Sequence, residues 1–318
     1  MTHESFPAPT DRPAPLFGTL LTAMVTVFHK DRSVDLEATA ALAVQLVDDG
    51  CDGLVVCGTT GEYSTMTDEE NLSVFRAVKD AVGGRVPLLA GTGSNDTEHS
   101  RYLCLEAEKI GMDGLLVVTP YYNKPTQAGV EAHFRSLADS VDTPIMMYDI
   151  PGRSGIPIEP GTMISLASHP NIVAVKDAKA DFVAASRVMA ETDLVFYSGD
   201  DGLTLPWMAI GAAGLVGVTT HVDTARYRRM IDAVLASDLE TARRLNAELL
   251  PLVRATMTRV PGAVAAKTIL QWQDRLPNAV VRLPHVAPTH AELEQIRADL
   301  STSVIADSLT NQQMKGVS

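Results

Sequence analysis

The chain has 318 residues, 46% of them hydrophobic, and a formal net charge of −13. That apolar content supplies a large core, in one big α/β domain or two smaller ones. The acidic field, with no stripe of Lys and Arg, opposes binding to phosphate backbones or anionic lipid, and no apolar run approaches the roughly 20 residues a membrane helix needs.

Residues 1–16 carry Pro7, Pro9, Pro13 and Pro15 but no cationic start followed by an apolar stretch. They read as a flexible arm rather than a signal peptide. The three cysteines, Cys51, Cys57 and Cys104, are odd in number and widely spaced. That pattern predicts a reduced, cytoplasmic protein, not a disulfide framework. No histidine falls in a metal-ligand motif, so no metal and no bound cofactor is expected.

Short apolar runs bounded by Gly, Pro or Asp recur along the chain. They are Leu20–Val27, Gly53–Cys57, Val86–Ala90, Gly114–Val118, Ile145–Tyr148, Ile172–Val175, Leu194–Tyr197 and Leu215–Val218. Helical periodicity lies between them, as in DLEATAALAVQLVDDG and TDEENLSVFRAVKDAVGG. Strand–helix alternation implies parallel strands with right-handed crossovers. Eight units match a (β/α)8 TIM barrel over 17–236 better than a doubly wound sheet, whose G-x-G-x-x-G after the first strand is missing. Residues 237–305 read as a C-terminal helical appendage, and 306–318 as a polar, disordered tail.

The sixth run ends on Lys176. A strongly hydrated ammonium seldom ends a buried strand. A lone strand-end lysine usually snorkels to water; the sharper reading is a lysine kept dry so that its neutral amine can act as a nucleophile. A barrel of this kind carries its active site at the C-terminal ends of its strands. Of the eight lysines, Lys176 alone follows directly on a barrel-strand run.

The strand-five run ends on Tyr148, whose phenol could pass protons, and Arg153 follows in DIPGRSG as a possible carboxylate clamp. Taken singly, a surface hydroxyl and a surface arginine are the commoner cases. After strand two, Thr59 and Thr60 sit in a glycine-bounded loop that could hold a small carboxylate, or could be a turn and nothing more. Tyr121 and Tyr122 follow strand four, where adjacent aromatics pack a substrate pocket or a subunit contact.

The set GTTGE, GLLVVTPYYNKP, YDIPGRSGIPIE, VKDAK and YSGDD, in this order at these strand ends, resembles the 4-hydroxy-tetrahydrodipicolinate (dihydrodipicolinate) synthases. The likeness runs from about residue 17 to about 303, and YDIPGR and VKDAK resemble most closely the actinobacterial versions. The wider family includes N-acetylneuraminate lyase and other pyruvate aldolases, which share the lysine, the tyrosine and the threonine loop. Arg153 is the feature that favours a synthase. The nearest alternative is a lysine-dependent aldolase acting on a sugar acid, of the N-acetylneuraminate or 2-keto-3-deoxy-gluconate type; a more distant one is a non-catalytic binding barrel.

The resemblance implies that Lys176 forms a Schiff base with pyruvate, which then condenses with aspartate semialdehyde. It implies a proton relay of Tyr148, Thr60 and Tyr122, the last reaching into a neighbouring subunit, with Tyr121 packing it in place. Thr59 and Thr60 would hold the pyruvate carboxylate, Arg153 that of the semialdehyde, and Gly199 and Val216 would line the pocket. A homotetramer built as a dimer of dimers is implied. The chain keeps the Asn95 of the family's lysine-inhibitor pocket, but has Tyr63-Ser64, Asn71 and His99 where small residues, a histidine and a glutamate are expected. Feedback by lysine should therefore be weak or absent, because the cation loses a carboxylate partner and meets an imidazole.

Overall fold

The computed structural model describes residues 15–306 and residue 309. In chain order the elements begin β1 (Leu20–Ala23), α1 (Leu36–Asp48), β2 (Gly53–Val56), α2 (Asp68–Val82), β3 (Leu88–Gly91), α3 (Thr97–Ile110), β4 (Gly114–Val118) and α4 (Gln127–Ala138). They continue β5 (Ile145–Asp149), α5 (Pro151–Ser154), α6 (Pro160–Leu166), β6 (Ile172–Asp177), α7 (Phe182–Glu191), β7 (Val195–Ser198), α8 (Thr204–Ala209) and β8 (Gly214–Gly217). Four helices close the described part of the chain: α9 (Thr224–Leu235), α10 (Leu239–Met257), α11 (Gly262–Trp272) and α12 (His290–Ser301).

The strands pair in parallel and in sequence order, and β8 returns to β1, so the sheet is a closed eight-stranded barrel. Parallel strands covered on both faces carry continuous apolar runs, which is how these runs read in the sequence. The abundant aspartates serve the helices: Asp35, Asp96, Asp181, Asp223 and Asp238 cap α1, α3, α7, α9 and α10 by accepting from first-turn N–H groups.

Side chains alternate along each strand, so residues two apart share a face. Leu21, Val55, Leu89, Leu116, Met146, Ala174, Tyr197 and Val216 fill the barrel interior. A second layer, including Leu54, Val56, Leu88, Leu115 and Val175, packs outward against the helices. This parity aims the candidate site residues. Met146 and Ala174 point inward, so Tyr148 and Lys176, two residues on, point inward at the mouth.

Several predicted bounds shift. The first run was expected to stay in the sheet to Val27, but the ladder stops at Ala23. Beyond it Val25 N–H donates to His221 Nε2 and Val27 N–H to Thr39 Oγ1, so residues 24–27 are buried loop bonded to side chains. Strand three starts at Leu88 rather than Val86, behind Pro87, which has no N–H to give. Strand six extends to Asp177, so Lys176 lies inside the ladder instead of just after it. Arg153, expected in a loop, is on the short helix α5.

Residues 1–14 of the expected arm, and most of the expected tail, lie outside the described residues. Leu309 departs from a polar, disordered tail: it is 3% exposed in the apolar cluster that holds Leu293, Ile296 and Leu300. Among the described residues no helix is long and apolar enough to cross a membrane, and no group of three or more His, Cys, Asp or Glu could hold a metal ion.

Candidate active site

Lys176 is 5% exposed, and its Nζ lies 4.3 Å from the centre of the Tyr148 ring. The two residues are register partners across β5 and β6. Among the described residues no carboxylate forms an ion pair with this ammonium. Burial lowers its pKa from 10.5 to about 8, the negative Asp201 opposing that fall and Arg153 assisting it. A lysine in that range has a useful neutral fraction at ordinary pH. Tyr148 is pushed the other way, to about 12, because burial disfavours the phenolate. It is thus a protonated phenol beside an amine, able to donate and take back a proton.

Arg153 is exposed on α5, and its positive charge is felt by both Tyr148 and Lys176. Among the described residues no carboxylate pairs with this guanidinium, which lies within electrostatic reach of the barrel mouth, where a carboxylate could dock. Lys179 is a poor rival for Lys176: its Nζ donates to Asp149 Oδ2 at 3.0 Å and to the Ile158 carbonyl at 3.3 Å. The cysteines are no rivals either, since burial raises the thiols of Cys51 and Cys104 to about 11 and that of Cys57 further.

Thr59 and Thr60 lie on a single 3-10 turn, Thr59–Gly61, which the Thr26 hydroxyl pins by donating to the Gly61 carbonyl at 2.7 Å. Thr59 lines a pinched cavity of about 10 Å³ with Tyr63 and Tyr148, room for about one water. Val216 packs in the barrel interior with Tyr148 and Tyr197. At 199 only a glycine leaves the wall undisturbed: a Cβ there would meet the Asp177 carbonyl oxygen at 3.0 Å and Ala178 Cβ at 3.1 Å.

Tyr122 is not brought to this site by its own chain. It is 88% exposed with φ +74°, while Tyr121 stays half-buried beside Tyr63. A roomy cavity of about 610 Å³ is likewise elsewhere, near Leu16, Ile164, His169, Leu194 and Val195. It sits at the N-terminal ends of β6 and β7, the face that in such barrels serves stability rather than chemistry.

A closed parallel barrel, a dry lysine on its sixth strand and a phenol on its fifth narrow the field, and comparison with known proteins decides it: the dihydrodipicolinate synthetase family matches residues 16–303. The chain belongs to this family. It is similar to the 4-hydroxy-tetrahydrodipicolinate synthase of Kineococcus radiotolerans, 52% identical over 290 residues, covering 91% of this chain and 94% of that protein. The synthase of Acidothermus cellulolyticus is also 52% identical, over 92% of this chain and 94% of its own. Among solved structures, dihydrodipicolinate synthase from Cyanidioschyzon merolae, with lysine bound, superposes with a TM-score of 0.88 at 38% identity, covering 93% of this chain and 99% of that one.

Three residues around the site, Asp201, Glu62 and Lys267, have no role in the sequence reading, and a fourth, Tyr63, has one only in the inhibitor pocket. Asp201 is fully buried, its carboxylate accepting from the N–H groups of Val218 and Thr219 at 2.9 and 2.7 Å. Burial raises its pKa to about 6. The paired acids of SGDD were the available signal. Tyr63 sits between Tyr121 and Tyr148, and burial raises its pKa far above the usual phenol value. Glu62 and Lys267 form a buried ion pair that no spacing rule connects.

The expected inhibitor pocket differs in one respect from the sequence reading. A carboxylate is present after all: Asp68 Oδ1 lies 2.9 Å from His99 Nε2. It is already engaged by the imidazole. Glu98 turns away to pair with Arg101, and Asn71 donates to the Tyr63 and Thr67 carbonyls at 3.2 Å.

Proposed function

We infer that this chain is a 4-hydroxy-tetrahydrodipicolinate synthase, condensing pyruvate with aspartate semialdehyde in the biosynthesis of lysine. The observation that carries the reading is the buried, carboxylate-free Lys176 against Tyr148 at the mouth of a closed barrel, in a chain about half identical to synthases over nine-tenths of its length.

In this reading the neutral Lys176 amine attacks the pyruvate ketone, and loss of water gives the imine. The imine draws electrons from the adjacent methyl group, which loses a proton and becomes an enamine. The enamine carbon adds to the aldehyde of the semialdehyde. The amine of that substrate then attacks the imine carbon, closes the ring and expels Lys176. Enzymes of this family need no external cofactor. The dry site keeps the imine from hydrolysis until the second substrate arrives.

Tyr148, Thr60 and Tyr122 are assigned the proton transfers, Thr59 and Thr60 the pyruvate carboxylate, and Arg153 the carboxylate of the semialdehyde. Gly199 and Val216 form the wall, and Tyr121 supports Tyr122. The exposure of Tyr122 supports a second chain taking it up, so at least a dimer is inferred, in a homotetramer of two such dimers. The barrel at 17–236 is read as the catalytic unit, with 237–305 as its helical support and the cytoplasm as its location.

A coupled assay decides between this reading and a sugar-acid aldolase. Turnover of aspartate semialdehyde with pyruvate, lost in Lys176→Ala, is expected. Turnover of N-acetylneuraminate with none of the semialdehyde would overturn it.

A further inference from the structure

Among the described residues two lysines are buried, and they are held in opposite ways. Lys267, on α11, is 1% exposed. Its Nζ donates to Glu62 Oε1 at 2.5 Å and to the Val280 carbonyl at 2.9 Å. The other oxygen of Glu62 accepts from the backbone N–H of Arg282 at 2.9 Å. Phe28 lies between the two cations, its ring centre 4.2 Å from Lys267 Nζ and 4.6 Å from the Arg282 guanidinium carbon.

Glu62 is itself only 2% exposed, and both its oxygens are therefore held by residues 205 and 220 positions later in the chain. It stands two residues after Thr60. Its backbone is left-handed, φ +57°, a conformation uncommon for a residue with a side chain. Its N–H closes the turn onto the Thr59 carbonyl at 3.2 Å. Arg282 extends the clamp, reaching the Thr65 carbonyl at 3.0 Å and both oxygens of Glu70 at 2.6 and 2.7 Å. The turn is thus tethered from the loop after β1 by Thr26 and from the C-terminal region by Glu62.

A charge taken out of water needs its partner at close range, so a buried pair defines one position for each member. We propose that Lys267, acting through Glu62, is a positioning residue for the Thr59–Thr60 turn, so that the C-terminal helical region sets where the pyruvate carboxylate is held. The proposal rests on the functional reading above, which assigns those threonines to pyruvate. It gives the last helices a role in catalysis and not in folding alone.

The test compares the wild type with Glu62→Gln/Lys267→Met, which removes both charges at nearly constant volume and leaves neither one unpaired. The expected result in the double variant is a KM for pyruvate raised about tenfold or more, with a lowered kcat and a KM for aspartate semialdehyde within about twofold of wild type. A lower melting temperature with both KM values unchanged would mean the pair serves stability alone, and overturns the proposal. Should the double variant fail to fold, Lys267→Gln, which leaves Glu62 a neutral donor at shorter reach, is expected to raise the KM for pyruvate selectively; no rise overturns the proposal. Borohydride reduction of the wild type with pyruvate separates the two levels. An adduct on Lys176 upholds the parent reading whatever the variants do, and its absence overturns that reading together with this one.

Discussion

Tyr148 and Lys176 face each other across the β5–β6 ladder, and the ammonium of one lies 4.3 Å from the ring centre of the other. A cation over an aromatic face is attracted by roughly 0.5–2 kcal/mol. That contact favours the charged lysine, yet burial outweighs it and the pKa falls to about 8. The ring keeps the amine in place while the dry surroundings free its lone pair.

The first prediction is kinetic. With a pKa of about 8 roughly one Lys176 in eleven is neutral at pH 7, against about one in 3,000 for an unperturbed lysine. The rate of irreversible labelling by pyruvate and borohydride should climb with pH and level off above about pH 8. A rate flat from about pH 6 to about pH 9 would remove Lys176 as the titrating nucleophile.

The second comes from the same shift with the sign worked through. Lys176 has its folded pKa lowered, so the folded state disfavours the cation. That cost is fully present below about pH 8 and disappears as pH rises toward 10.5, the ordinary value. Lys176→Met should therefore raise stability near pH 7 by up to about 3 kcal/mol while abolishing turnover. Denaturant melts at pH 7 and near pH 10 check it; a variant no more stable than wild type at pH 7 contradicts the argument.

A third concerns Asp201, whose negative charge holds the Lys176 pKa up. Asp201→Asn keeps an acceptor oxygen for the Val218 and Thr219 N–H groups but removes the charge. The rise of labelling rate with pH should move to lower pH. A shift toward higher pH, or none, would mean that the charge does not reach the amine.

For Arg153, an exposed position limits what a carboxylate contact is worth. Arg153→Ala should raise the KM for aspartate semialdehyde about 10- to 30-fold, the lower part of the range for charge-assisted bonds, with much less effect on that for pyruvate. Equal loss for both substrates would assign Arg153 to the structure of α5 instead.

The barrel could be read from the sequence because each strand is buried on both faces, and unbroken apolar runs record that directly. The inward aim of Lys176 and Tyr148 could be read as well, given only where their strands end. Residues 24–27 misled for a physical reason: burial alone does not distinguish a strand from a loop bonded to His221 and Thr39. Lys267 was legible only as one residue of a helix. Its partner lies 205 positions away, and periodicity reports which face is buried but never which charge is buried with it. Tyr122 was recognised by resemblance; the geometry of a single chain leaves it in solvent.

Feedback is the fifth prediction. Asp68 and His99 are already paired, and the Tyr63 ring occupies space beside Tyr121. A lysine arriving there would have to displace the imidazole to gain the carboxylate. Half-inhibition by free lysine is expected only above about 1 mM, if at all. Inhibition at tenfold lower concentration, with lysine seated between Tyr63 and His99, would refute the argument.

Glu62 leaves the ribosome 205 residues before Lys267. At roughly 5–20 residues per second the interval is about 10–40 s. By its end every barrel strand and the reactive lysine have been made, but the turn bearing Thr59 and Thr60 still lacks the counter-ion that fixes its neighbour. In the proposed reading the barrel mouth is thus finished last, and a chain that stops short of α11 would carry Lys176 in its barrel beside a turn without its tether.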